Sequence, residues 1–155
     1  MKRKQAEVFV KNLNDFKKCL YWLEKAQKKV KNISVKNFQD LNEEDLEKIE
    51  VLFSRFSRAV DMLINRILRG IDILELEDVG TKLDIVIRAE KRGFVDSYET
   101  LIAMKDLRNE LAHEYVGERL ISKLDEVKEF SEKLIEIGNR VIEYGERELL
   151  PKLRR

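Results

Sequence analysis

The residues best placed to do chemistry lie in one short run, Arg108-Asn109-Glu110-Leu111-Ala112-His113-Glu114-Tyr115, which holds the only histidine of the chain. An imidazole exchanges protons near neutrality, its ordinary pKa being about 6.5. A guanidinium keeps its charge and grips a phosphate in a two-point fork. With no metal ligands beside them, the two make a workable kit for cutting RNA without a metal. His113 can take the proton from a ribose 2′-hydroxyl or return one to the departing 5′ oxygen, while Arg108 stabilises charge on the phosphoryl oxygens. Strand cleavage by this route needs both an acid and a base, and one chain supplies one imidazole. A two-fold dimer with both clusters facing its axis supplies two, so a homodimer is expected.

Helical geometry constrains who can meet. Asn109 and His113 stand one turn apart on one face, so the amide can orient the imidazole. Arg108 and Tyr115 are two turns apart and nearly aligned. Arg108 and His113, five apart, point about 140° away from each other on a straight helix. They converge if the helix distorts before Gly117, if the arginine side chain swings round, or if a second copy supplies half the site. Plainer roles exist for each residue: His113 as a helix-end cap, Tyr115 as an edge residue with a wet hydroxyl, Asn109 as a surface amide. On residues alone the reading stops at a helical bundle, with or without dimerisation.

Apolar spacing supplies the elements that must carry this run. Phe9, Leu13, Phe16, Leu20, Leu23 and Val30 step by threes and fours, with Gln27 in the one polar slot. Glu43-Glu44-Asp45 makes a carboxylate-rich helix start. A second stripe follows, through Leu46, Ile49, Phe53, Phe56, Val60, Leu63 and Ile67, and fades near Gly70. Residues 70–80, with Asp72, Glu75, Glu77 and Asp78, read as an acidic loop, either a docking point for a basic partner or a plain connector. A short helix is predicted from about Val79 to Arg92 on Leu83, Val86 and Ile87, capped by Gly93. The motif helix starts at Asp96 or Ser97 and runs towards Gly117. A long last helix, from about Glu118 to Leu150, carries Leu120, Leu124, Val127, Leu134, Ile137, Val141 and Tyr144 before Pro151 stops it. The expected fold is all-α: a single domain over 1–155, an antiparallel bundle of four to five helices with a long C-terminal helix.

Composition agrees. A chain of 155 residues can bury a core without disulfides or metals. Six glycines and a single proline leave few helix breakers. One cysteine, Cys19, excludes an intrachain disulfide and, with one histidine, the usual structural zinc sets. Cys19 itself reads as a small buried hydrophobe. No apolar run approaches a membrane span, and Met1-Lys2-Arg3-Lys4 leads into polar chain, so an intracellular, cytoplasmic protein is expected. The net charge of +1 hides an imbalance. Residues 1–40 hold eleven bases against four acids, a surplus of seven, and the remainder carries −6. A basic first helix can hold a polyanion or an acidic partner, or form a solvated face.

The Arg108-to-Tyr115 run resembles the signature of the HEPN superfamily, an arginine, four to six residues, then a histidine. More narrowly it is similar to the Arg-x4-His-x-Tyr form of HEPN toxins paired with minimal nucleotidyltransferase antitoxins. Leu20-Tyr21-Trp22-Leu23 in the first helix and the helix count also fit; elsewhere the likeness is loose. The resemblance implies a homodimer with the motif in the shared cleft and metal-independent RNA cleavage by Arg108 and His113, with Asn109 supporting. It implies no cofactor. It also implies that Tyr115 accepts AMP from a nucleotidyltransferase partner, which neutralises Arg108 and blocks RNA. A related group is the non-catalytic, substrate-binding subunit of two-component nucleotidyltransferases, and it shares much of the motif.

Overall fold

Stripes that recur every three or four residues are buried most simply by packing helix against helix. The structure, a computed structural model, describes residues 2–34, 36, 38–76, 78–113 and 118–153. It is an all-α bundle. Helix α1 spans Lys2–Val30, and all seven residues of its inner stripe, Phe9, Leu13, Phe16, Leu20, Leu23, Ala26 and Val30, are buried. Gln27 fills the polar slot as its spacing predicts, donating from Nε2 to the Lys128 carbonyl at 3.3 Å.

After a 3-10 turn at Phe38–Asp40, Asn42 caps α2 (Glu43–Met62), its side chain accepting from the Asp45 amide at 2.7 Å. The rod does not fade at Gly70. It widens into a π-helical turn at Leu63–Leu68 and continues as α3, Arg69–Glu75. Gly70 serves close packing rather than a stop: a Cβ there would lie 2.9 Å from Phe9 Cδ2. The acidic-loop expectation for 70–80 is therefore corrected over its first half. Asp72 is fully buried, and its partners are inside the chain: Arg88 Nη1 at 3.0 Å and Arg92 Nη1 at 2.6 Å.

Arg88 belongs to α4 (Lys82–Lys91) and Arg92 is the residue that caps its end; the helix begins at a reciprocal cap between Thr81 and Asp84 and ends before Gly93, at φ 81°. Its buried residues are Ile85, Val86 and Ala89, whereas Leu83 is exposed and Ile87 only partly covered. Helix α5 spans Tyr98–His113, with the Ser97 hydroxyl accepting from the Glu99 amide at 3.2 Å.

The expected single C-terminal helix is interrupted. A short α6 (Glu118–Ile121) is separated from α7 (Leu124–Tyr144) by a turn, where the Ser122 hydroxyl donates to the Arg119 carbonyl at 2.6 Å and so competes with the helical ladder. Nor does Pro151 stop the chain. A second π-helical turn, Gly145–Leu149, leads into α8, Leu150–Leu153. The wider turn moves the carbonyl four residues back away from the proline ring, whose clash normally breaks a helix.

Helix order follows from facing residues. Trp22 faces Arg55 while Lys4 and Arg69 line one cavity, so α1 runs antiparallel to the α2–α3 rod. On its other side Leu20 meets Gly138 and Leu13 meets Gly145, so α1 is antiparallel to α7 as well. A polar lock joins α3, α4 and α7: Arg92 Nη2 approaches Glu75 at 3.6 Å, and the Tyr144 hydroxyl donates to Glu75. Tyr144 also meets Phe94 edge to face, at 5.2 Å between ring centroids.

Candidate functional site

Helix α5 presents the motif because its opposite face is core. Leu101, Met104, Leu107 and Leu111 are buried, which leaves Arg108 half-buried at the seam with α2 and turns Asn109 and His113 outward. The Arg108 guanidinium is fixed by one carboxylate. Asp61 of α2 accepts with Oδ2 from Nε at 3.0 Å, and Nη2 stands 2.9 Å from the same oxygen as an ion pair. Both side chains keep solvent access, 32% for Arg108 and 42% for Asp61, so this is a tether at the surface rather than a sealed pair.

Arg108 forms a wall shared by two open cavities. One, of about 420 Å³, is lined by Ser57, Arg58, Asp61, Met62, Asn65 and Arg66 as well. The other, of about 240 Å³, adds Lys82, Lys105 and Asn109. The π-helical turn places Asn65 in both. Such turns often mark functional positions, because one extra residue per turn redirects the side chains beside it. The electrostatics are lopsided: Arg58, Arg66, Lys82, Lys105 and Arg108 surround the single carboxylate of Asp61. An anionic ligand entering here exchanges one carboxylate for its own oxygens.

The structure thus groups Arg108 and Asn109 with Asp61 and Asn65. His113, exposed at the last position of α5, lines neither cavity. Tyr115 lies outside the described residues. Glu110, between the two motif residues, pairs with Lys123 at 2.8 Å and ties α5 to the turn before α7. Among the described residues, no group of three or more His, Cys, Asp or Glu is placed to hold a metal ion, and no helix is long and apolar enough to cross a membrane.

Asp61, Asn65, Lys82 and Lys105 did not emerge from the motif. The available signal was Asp61 itself, the only acid in the stretch from Val51 to Arg69, which carries Arg55, Arg58, Arg66 and Arg69. Cys19 is half-buried rather than buried; burial pushes its thiol above the usual range, with Arg58 pulling the other way. No protein-family model matches the chain, and no curated protein or solved structure is significantly similar to it.

Proposed function

We propose that this chain is a HEPN-like, metal-independent endoribonuclease, acting as a cytoplasmic homodimer and silenced by a minimal nucleotidyltransferase through binding or AMP transfer to Tyr115. The observation that carries the reading is the setting of Arg108. It is a half-exposed guanidinium held in place by Asp61 between two cation-rimmed cavities, five residues ahead of an exposed imidazole at the same helix end. Cation-rimmed cavities suit a phosphodiester, and a tethered guanidinium loses little side-chain freedom on gripping one.

In this scheme a His113 imidazole removes the 2′-hydroxyl proton, and the 2′ oxygen attacks phosphorus. The bond to the 5′ oxygen breaks, leaving a 2′,3′-cyclic phosphate and a free 5′-hydroxyl. The second copy's His113 protonates that leaving oxygen, and Arg108 holds the phosphoryl oxygens. A second reading is favoured by one specific contact: Asp61 already occupies one donor of Arg108 and ion-pairs with a second nitrogen, as suits a binding subunit that grips a ligand without turning it over.

The two readings part in one experiment. Purified protein without AMP on Tyr115 is given end-labelled RNA in excess chelator. The nuclease cuts it to cyclic-phosphate ends, and Arg108→Ala and His113→Ala each lower the rate by about 100-fold or more. RNA that stays intact with wild type as with both variants leaves the binding-subunit reading standing.

A further inference from the structure

The face formed by α1 and the α2–α3 rod carries a track that the motif does not explain. Three cavities follow one another along it. The first, of about 340 Å³, is lined by Lys18, Cys19, Trp22, Arg55 and Arg58. Arg58 is shared with the Arg108 cavity, and Asn65 and Arg66 link that one to a third, of about 450 Å³. The third has Val8, Phe9 and Ile73 for its apolar lining and Lys4, Arg66 and Arg69 for cations. From Lys4 to Trp22 along α1 the track runs about 27 Å. The acids that face it are Asp61, already tied to Arg108, and Asp15, close enough to Cys19 to act on its thiol.

One end bears an aromatic platform. Trp22 is half exposed, braced by the Arg55 guanidinium 5.2 Å from its ring centre and by Tyr21 edge-on at 5.1 Å. A run of cations with the span of a few nucleotides, plus a ring on which a base can stack, is the chemistry that binds single-stranded nucleic acid. A protein partner of matching charge, or a second copy of this +1 chain, offers no such base for Trp22. We infer that this groove binds a single strand of nucleic acid, with a base on Trp22 and its backbone passing Arg58 and Arg66 to reach Arg108. The inference rests on the nuclease reading for its destination and extends it by assigning the strand form and the path.

Trp22 is the only tryptophan, so its fluorescence reports the site directly. Titration of the intact protein with oligouridylate quenches that emission, and oligothymidylate separates RNA from DNA as the occupant. Labelled oligouridylate binds more than tenfold more weakly to Arg58→Ala/Arg66→Ala and roughly tenfold more weakly to Trp22→Ala, with a shallower salt dependence for the double variant. The off-track pair Lys133→Ala/Arg147→Ala, which removes the same charge, keeps wild-type affinity, and a duplex competitor does not displace the strand. His113→Ala binds normally without cutting, so a wild type that binds but never cuts defeats the nuclease and leaves the groove. Equal affinity for the double variant and the off-track pair, unquenched Trp22, or emission that shifts with protein concentration because a second copy covers the ring, overturns the groove.

Discussion

At the scale of single residues, the Asp61–Arg108 pair decides how the site meets an anion. Asp61 orients the guanidinium but also spends part of its positive field, since a phosphate must approach a carboxylate along with the cation. Asp61→Asn keeps a hydrogen-bond acceptor and removes the charge. Oligouridylate affinity should rise several-fold at low salt and converge with wild type at high salt, because the difference is exposed electrostatics; an unchanged or weaker affinity would put Arg108 off the strand's path. Tyr144 is a titration marker for the far end of the bundle. Burial, then its bond to Glu75, pushes its hydroxyl up to about 12. A raised pKa favours the neutral phenol in the folded state, so its contribution is complete below about pH 10 and is lost as pH rises through about 12. Alkaline absorbance should show a late-titrating tyrosine that vanishes in Tyr144→Phe, while an unchanged titration curve in that variant would mean that Tyr144 is not the late titrant.

At the scale of elements, the buried Asp72 holds a junction. With Arg88 and Arg92 both aimed at a carboxylate that has no solvent access, Asp72→Ala leaves Arg88 without its carboxylate and Arg92 with only the more distant Glu75, at 3.6 Å. Breaking such a pair costs about 3–5 kcal/mol, a large share of the ~5–15 kcal/mol that holds a typical domain together. Chemical denaturation should show that drop, whereas a loss under 1 kcal/mol would mean that water or Glu75 compensates. This junction also marks where sequence and structure part. The stripes of α1, α2 and α7 were legible because each apolar residue falls on one 3.6-residue period, and the end of α4 and the start of α5 because Gly93 and Ser97 cap by local chemistry; the start of α4, expected near Val79, lies at Lys82 behind the Thr81 cap. Asp72 was not legible, since its partners lie 16 and 20 residues away, on a helix and at its cap, whose register the local pattern does not fix. The π-helical turns were hidden for a related reason. Through the first of them the buried residues Val60, Leu63, Ile64, Ile67, Leu68 and Ile71 still step by threes and fours in sequence, so the extra residue leaves no mark there, and only packing against Phe9 and Leu13 shows why Gly70 and Gly145 stand inside helices. In the site, the Arg108 setting needed α2 as well as the motif, and Asp61 is 47 residues from its partner.

At the scale of the whole molecule, the chemistry turns on how many copies build one site. Within one chain Arg108 looks into the α2–α5 cavities while His113 ends α5 on its exposed side, and a single imidazole cannot sit beside both the attacking 2′ oxygen and the departing 5′ oxygen, which lie on opposite sides of phosphorus in an in-line displacement. A two-fold axis beside the end of α5 would remedy both at once, because every group near the axis appears twice. Such a site has a stoichiometric signature. When wild type and His113→Ala are unfolded together, refolded and allowed to pair at random, a site that needs both imidazoles survives only in wild-type pairs. Activity then follows the square of the wild-type fraction, so an equal mixture keeps about one quarter of the full rate. A site complete within each copy keeps half. A linear dilution curve, with dimers present by sedimentation, would therefore move the catalytic pair back into one chain and require Arg108 or the end of α5 to rearrange when RNA binds.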